Sequence, residues 1–141
     1  MIDEAPPGVV LALHRATHAT LHVLAARLAE LDLPASGINV LANLAVGHPL
    51  TVGALAAATA TRPTTLTSVL DRLVRRGYVV REVDPADRRS FLVSLTPAGQ
   101  RSAATVADAV RGLEQAALTG VSPEQRAGFF AVAHALSEVS A

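Results

Sequence analysis

The chain has 141 residues, a formal net charge of zero at pH 7 and no cysteine. Its length suits one domain, or two small lobes that share helices, and the absence of cysteine excludes disulfides, thiolate zinc sites and cysteine redox switches. No apolar stretch is long enough to span a membrane, which takes about 18 residues or more. The opening Met1-Ile2-Asp3-Glu4 is acidic, whereas a secretory signal starts with basic residues. We therefore expect the protein to be cytoplasmic.

The zero net charge hides an uneven distribution. Residues 62–89 hold seven arginines and four acidic residues, which gives this segment a formal charge of +3 and leaves −3 for the rest of the chain. The chain has no lysine. Codon bias in a GC-rich genome is the simpler explanation, although arginine is also the better residue for two-pronged contacts to phosphate or guanine. A basic segment on a mildly acidic body can steer a protein toward DNA while the whole molecule stays neutral.

The first half of the chain predicts two helices. The first begins after Pro6-Pro7-Gly8 and ends before Pro34. Its apolar stripe repeats every three or four residues, as one helix face requires, and comprises Val10, Leu13, Thr17, Leu21, Leu24, Leu28 and Leu31. The second helix runs from about Ala35 to Val46, where Gly47 and Pro49 stop it. Its predicted inward-facing residues are Ile38, Leu41, Leu44 and Ala45.

Two further helices follow in close succession. Thr51 is typical of an N-cap before a short alanine-rich helix at about 52–58. Pro63 is favoured in a first helical turn, and the helix that it opens runs to about Arg76, where Gly77 ends it. A turn at about 59–62 joins the pair, so this region predicts a helix-turn-helix.

The second helix of this pair carries the candidate DNA contacts. One face is apolar, with Leu66, Val69, Leu70 and Leu73. The free face is rich in small hydroxyls and arginine, which suits it to reach base edges and phosphates in a major groove. The predicted DNA-binding residues of the helix and its start are Arg62, Thr64, Thr65, Thr67, Ser68 and Arg72.

Next along the chain, β-branched and aromatic residues at 78–83 and 91–95 predict a hairpin. The turn between them, 84–90, contains the adjacent arginines Arg88 and Arg89. Directly after a recognition helix, such a hairpin would lie beside the DNA backbone as a wing. We expect one arginine to meet DNA and the other to pair with Asp71 or Asp87, although both could simply brace the turn.

The C-terminal part predicts two more helices. Thr96-Pro97 opens the first, and Ser122 with Gln125 forms a capping-box pattern at the start of the last. The last helix has an apolar stripe of Phe129, Val132, Ala133, Leu136 and Val139. The fold class is therefore mainly α with a small β-hairpin wing, in which a winged helix-turn-helix at about 34–97 lies between dimerisation helices at 8–33 and 97–141. The winged helix is too small to cover both outer stripes, which predicts a homodimer.

Three stretches carry a resemblance to a known family. The runs Arg72-Leu73-Val74-Arg75-Arg76-Gly77-Tyr78-Val79-Val80-Arg81, Asp84-Pro85-Ala86-Asp87-Arg88-Arg89 and Val93-Ser94-Leu95-Thr96-Pro97-Ala98-Gly99 resemble the MarR family of bacterial regulators. The resemblance implies a dimer with intertwined first and last helices, recognition by the helix at about 63–76, and a wing that places Arg88 or Arg89 in the minor groove. It also implies a small phenolic or aromatic ligand between the dimerisation and DNA-binding lobes.

The first helix also carries His14, His18 and His22, each four residues apart and thus on roughly one face. They face solvent or the dimer interface, line a ligand pocket with Arg15, or bind a metal through a pair four residues apart. The metal alternative needs a further ligand from another element, such as His48 or His134.

The sequence shows no recognisable nucleophile setting, glycine-rich phosphate loop or string of metal ligands, so we expect no enzyme, no cofactor and no dedicated metal site. The expected function is a dimeric repressor that binds a pseudo-palindromic operator in double-stranded DNA and is released by a small anionic aromatic effector. The alternatives are a winged-helix module without an effector, a metal-responsive regulator that uses the first-helix histidines, and a winged helix that binds protein instead of DNA.

Overall fold

The computed structural model describes residues 8–140. Within this range the chain forms six α-helices, one 3-10 helix at Ala29–Leu31 and three short strands. The mainly helical fold with a small sheet confirms the predicted fold class. In chain order the helices and strands are α1 (Val9–Arg27), α2 (Ala35–Leu44), β1 (Leu50–Thr51), α3 (Val52–Thr59), α4 (Pro63–Arg75), β2 (Val79–Val83), β3 (Phe91–Leu95), α5 (Pro97–Ala117) and α6 (Pro123–Ser137).

Local capping interactions determine where several helices begin. The Thr51 hydroxyl accepts a hydrogen bond from the Ala54 N–H at 3.0 Å at the start of α3. Pro63 opens α4, where its missing N–H would have no partner in any case. At α6, Ser122 and Gln125 form the complete reciprocal capping box. These helix starts match the sequence-based prediction.

The sheet has three antiparallel strands in the order β1-β3-β2. The hairpin of β2 and β3 runs in register from Val79 opposite Leu95 to Val83 opposite Phe91. The two-residue strand β1 then pairs with the outer side of β3, with Leu50 opposite Val93. This third strand was not predicted, because two residues are too few to show the alternation of a strand.

The buried residues form two apolar clusters. The first is the core of the winged helix and consists of Val40, Leu44, Leu55, Leu66, Leu70, Leu73, Val79 and Val93. The second joins α2 to α5 and consists of Leu28, Ile38, Leu41, Ala103 and Val106. The partly buried residues Leu33, Tyr78 and Leu95 pack against both clusters. These three side chains therefore link the two cores.

Three sequence-based details are wrong. The helix predicted to reach Val46 ends at Leu44, and Ala45, predicted to face inward, is exposed. Ala45 still closes the helix through its N–H to the Leu41 carbonyl, and Gly47 follows with a φ of +91° that suits glycine. The first helix also breaks earlier than predicted, because α1 ends at Arg27 and a separate 3-10 turn follows.

The chain divides after Val110 into two compact units, and the boundary falls within α5. In the second unit, α6 has no buried residue, and Phe129 and Phe130 expose 56% and 68% of their surface. The proposed boundaries of the winged helix, about 34–97, and of the dimerisation segments, 8–33 and 97–141, remain a prediction. Among residues 8–140, no helix combines the length and apolarity that a membrane span requires.

Candidate nucleic-acid interface

Helix α4 is anchored by one face and leaves the other free. Leu66, Leu70 and Leu73 are 0–1% exposed, at spacings of three and four residues that align them on one side. In the same core lies Leu55 of α3, which holds the two helices of the helix-turn-helix together. The opposite face of α4 is polar and exposed, and carries Thr64, Thr65, Thr67, Ser68, Asp71, Arg72 and Arg75. Because the leucines are buried, the side chains of the opposite face are the ones that a DNA groove could contact.

The hydroxyl groups on this face differ in how far they are already engaged. The Thr67 hydroxyl donates to the Pro63 carbonyl at 2.9 Å, and Ser68 makes a long contact to the Thr64 carbonyl at 3.5 Å. Within residues 8–140, the hydroxyls of Thr64 and Thr65 have no hydrogen-bond partner, so both are free to turn toward a phosphate or base. Thr67 and Ser68 keep lone pairs with which they can accept.

Arginines on and beside α4 are exposed and lack partners. Arg62 occupies the N-cap position without a capping side-chain bond, and Arg72 lies in the last turns of the helix. Arg75 was not among the predicted contacts, yet it lies seven residues after Ser68 and shares its face. In the described part of the chain, none of the three makes an ion pair or a side-chain hydrogen bond. The helical spacing of four and seven residues was the signal that could have identified Arg75.

The wing tip is held by its own aspartates. The Asp84 carboxylate accepts from the Ala86 N–H at 2.9 Å, and the Asp87 carboxylate accepts from the Arg89 N–H at 3.1 Å. Such local bonds are the usual way in which aspartate stabilises a tight turn. The Arg89 side chain also contacts Asp87, with Nε 3.4 Å from Oδ1, although it is 93% exposed. Arg88 is exposed and has no ion pair or side-chain hydrogen bond between residues 8 and 140.

The two predicted partners of the wing arginines behave differently. Asp87 pairs with Arg89, as expected, whereas Asp71 pairs with Arg81 of β2, with 3.1 Å between NH1 and Oδ1. The Arg81 guanidinium also lies over the Phe91 ring, 5.1 Å from its centroid. This arrangement connects α4 to both strands of the hairpin. These contacts link α4 to the hairpin.

The predicted effector residues His14, Arg15, His18 and His22 are all exposed along α1. No group of three or more histidine, cysteine, aspartate or glutamate side chains in the described residues is arranged to hold a metal. His48 instead hydrogen-bonds the Pro49 carbonyl through Nδ1 at 3.1 Å. Within the first unit, the described residues therefore add no third ligand from His48 to the first-helix histidines.

An open cleft of about 220 Å³ lies elsewhere in the first unit. It is formed by the end of α2 and the following turn, the end of β3 and the start of α5, and its polar lining groups include His48, Ser94 and Gln100. None of the four predicted effector residues lines it.

The model of the MarR family matches residues 31–90, which include α2, the helix-turn-helix, β2 and the wing turn but not β3. Among curated protein sequences, no relative matches the chain.

Solved structures of regulators resemble the whole chain. One describes regulation of DNA binding of Bordetella bronchiseptica BpsR by 6-hydroxynicotinic acid, with 25% identity, a TM-score of 0.77 and coverage of 97% of this chain and 98% of that one. A MarR-family regulator from Silicibacter pomeroyi is 28% identical, with a TM-score of 0.75 and coverage of 89% and 84%. NadR in complex with 4-hydroxyphenylacetate shares the fold at 19% identity, with a TM-score of 0.83 and coverage of 99% of both chains.

The helix-turn-helix, the wing and these similarities agree. Residues 31–90 match the MarR family, and over most of its length the chain is similar to solved MarR-family transcriptional regulators.

Proposed function

We propose that this regulator is a dimeric repressor that covers a pseudo-palindromic operator and is released by a small aromatic carboxylate. The observation that carries the DNA-binding part is the distribution of unpartnered polar groups. Thr64, Thr65 and Arg72 are exposed opposite the buried leucines of α4, Arg62 is exposed at the N-cap of the helix, and Arg88 is exposed at the wing tip. A helix with free arginine and hydroxyl groups beside a basic wing suits combined base and phosphate contacts.

The dimer is supported by apolar surface that a single chain leaves open. On α1, Val9, Val10 and Leu11 expose 57%, 48% and 63% of their surface. On α6, Phe129 and Phe130 are more than half exposed, with ring centroids 5.8 Å apart in an edge-to-face arrangement. A second copy is the simplest cover for these helices. A two-fold dimer presents two copies of α4 to two half-sites, which accounts for the palindrome.

The effector class is supported by chemistry that two structural relatives share. The ligands of BpsR and NadR, 6-hydroxynicotinic acid and 4-hydroxyphenylacetate, are both aromatic rings that bear a carboxylic acid and a hydroxyl. On α1, Arg15 offers a planar fork for a carboxylate, and His14, His18 and His22 can donate to a hydroxyl. Because these side chains are exposed in one chain, the proposed pocket is completed by the second copy.

The DNA-binding proposal is tested by selecting bound duplexes from a random pool. We expect an enriched palindrome with two half-sites about one helical turn apart. An Arg72→Ala variant should bind the selected duplex more weakly than wild type, while an Arg126→Ala variant, which removes the same charge from α6, should bind like wild type. Enrichment of no motif, or of a single unpaired site, would contradict a dimer on a two-fold operator.

The effector proposal is tested separately with salicylate, 6-hydroxynicotinic acid and 4-hydroxyphenylacetate as probes. At least one of them should release wild-type protein from the selected duplex, and Arg15→Ala should need a concentration about tenfold higher or more. A tenfold ratio corresponds to about 1.4 kcal/mol, close to the lower limit for a charge-assisted hydrogen bond. Equal release of wild type and variant would exclude Arg15 as the carboxylate partner.

A further inference from the structure

Arg76, the residue that ends α4, contacts the C-terminal end of the 3-10 helix that follows α1. Its NH1 donates to the Asp32 carbonyl at 3.0 Å and its NH2 donates to the Leu31 carbonyl at 2.9 Å. NH1 also lies 3.8 Å from the Asp32 carboxylate, and the guanidinium is 5.7 Å from the centroid of the Tyr78 ring. One side chain thus connects segments that are 44 and 45 residues apart.

The two carbonyls that Arg76 contacts are at the C-terminal end of the 3-10 helix at Ala29–Leu31. Carbonyls at such an end have no partner within the helix and carry its partial negative charge. Asp32 also has a left-handed backbone with φ of 48°, which ends the helix there. A planar guanidinium can donate to both carbonyls at once, whereas the ammonium of lysine is a single point donor. Arg76 therefore holds this end of the 3-10 helix with two directed bonds.

On its other side, the end of α4 is attached to the start of α5. Gly77 and Tyr78 close α4 through N–H bonds to Val74 and Leu73, with Gly77 at φ +77° in the usual helix-ending arrangement. The Thr96 hydroxyl then donates to the Gly77 carbonyl at 2.6 Å, and the Thr96 N–H donates to the Tyr78 carbonyl at 3.0 Å. Residues 76–78, which we call the α4 junction, thus contact both the segment after α1 and the start of α5.

We propose that Arg76 is a positioning residue that sets the direction of the recognition helix α4 relative to α1. The proposal rests on the proposed function only in taking α4 as the helix that reads DNA. Helix α4 has 13 residues, so it is about 20 Å long at a rise of about 1.5 Å per residue. A tilt of about 5° at the α4 junction moves its first turn by about 2 Å, which is enough to misalign hydrogen bonds to base edges.

A distance measurement that needs neither DNA nor an effector tests this proposal. Because the chain has no native cysteine, spin labels at Ala26→Cys on α1 and Thr67→Cys on α4 are the sole labelled sites. Labelled chains are diluted with unlabelled ones so that pairs within one chain dominate. We expect a narrow distance distribution for the wild-type background and a broader or shifted one for Arg76→Ala. Arg27→Ala removes an exposed arginine of α1 with no partner among residues 8–140, and should leave the distribution unchanged.

Arg76→Lys covers the case in which Arg76→Ala does not fold, as judged by circular dichroism. Lysine keeps the charge but loses the two-carbonyl geometry, so its distribution should also be broader than that of Arg27→Ala. If the folded Arg76 variant, alanine or else lysine, gives the wild-type distribution, the proposal is overturned.

DNA binding supplies a second readout that loss of stability alone would not change. Affinity is measured for the selected operator and for a version with one base pair added between the half-sites, and the ratio of the two affinities is compared between proteins. Wild type should strongly prefer the selected operator. The Arg76 variant should show a ratio about tenfold smaller, whereas Arg27→Ala should keep the wild-type ratio. An unchanged ratio in the variant would contradict a role of Arg76 in DNA reading. If the random pool yields no operator, the proposed function fails while the distance measurement still decides the role of Arg76.

Discussion

Replacing Arg88 by alanine tests whether the wing contacts DNA. Arg88 is exposed and has no ion pair or side-chain hydrogen bond within residues 8–140, so its replacement removes no such bond from the described residues. Each protein–phosphate contact contributes about 0.9 to the slope of log affinity against log salt. Because a dimer presents two wings, Arg88→Ala should lower this slope by about 1.8. Between about 50 mM and 200 mM salt, the ratio of wild-type to variant affinity should then shrink by about 12-fold.

Arg89→Ala should have a smaller effect on the slope. The Arg89 side chain is in contact with Asp87 at 3.4 Å, and an exposed pair of this kind contributes about 0–1 kcal/mol. Arg89 must give up this contact before it can reach a phosphate. The double variant Arg88→Ala/Arg89→Ala should therefore show the largest loss, and its slope should fall below that of either single variant.

Fluorescence anisotropy with a labelled operator at four or more salt concentrations measures these slopes. Arg101→Ala is the matched control, because Arg101 is an exposed arginine of α5 outside the proposed interface. It removes the same charge and should leave the slope close to that of wild type. If folded Arg88→Ala has the wild-type slope, the wing does not contact the DNA backbone through Arg88.

Three further predictions concern stability and assembly. Gly99→Ala should lower the free energy of unfolding, measured by urea denaturation, by about 1–3 kcal/mol. The reason is that a Cβ at Gly99 would overlap the carbonyl oxygen of Tyr78. Unchanged stability would mean that the start of α5 can shift to make room. Thr51→Ala removes the cap of α3 and should cost about 1 kcal/mol, whereas Thr51→Ser should retain most of it in thermal unfolding. Phe129→Asp/Phe130→Asp should convert a dimer to a monomer in sedimentation velocity, because charged groups would replace exposed apolar surface; a stable dimer would remove α6 from the proposed interface.

Helix starts could be predicted from the sequence because their signals are local. The Thr51 cap, Pro63 at the start of α4 and the Ser122–Gln125 box all depend on residues within one turn. Strand β1 could not be predicted in this way. It exists because Leu50 and Thr51 pair with β3 about forty residues later, and a pairing between distant segments leaves no periodic pattern in a two-residue strand.

In the candidate site too, the features that depend on local sequence could be predicted, and those that depend on contacts between distant segments could not. The free face of α4 follows from helical periodicity, since Leu66, Leu70 and Leu73 must share the buried side. The partners of Arg76 and Arg81 do not follow from periodicity, because they belong to other elements and depend on how those elements pack. The four effector candidates on α1 likewise share a face by spacing, but spacing cannot determine what covers that face.

The arginines of the basic segment explain how a chain of zero net charge can present a basic surface. Some are engaged within the fold: Arg76 with the carbonyls of Leu31 and Asp32, Arg81 with Asp71, and Arg89 with Asp87. Two of the four acidic residues of the segment are thereby paired with arginines that hold the wing and α4 in place. Within the basic segment 62–89, the arginines without ion pairs to described residues are Arg62, Arg72, Arg75 and Arg88.

The difference between hydrogen-bonded and unpartnered arginines matters for DNA binding because it changes the net free energy that each arginine contributes. An arginine that is already hydrogen-bonded must give up those bonds before it can contact a phosphate, and this exchange reduces the net gain. An unpartnered, exposed arginine exchanges only water and counterions, which is the process that drives salt-dependent binding. The engaged arginines instead contact neighbouring elements, as Arg76 and Arg81 do, or the wing turn, as Arg89 does. Under the proposed function, the four unpartnered guanidinium groups are the ones available to DNA, and the formal charge of +3 does not reflect this number because paired acidic residues are counted in it.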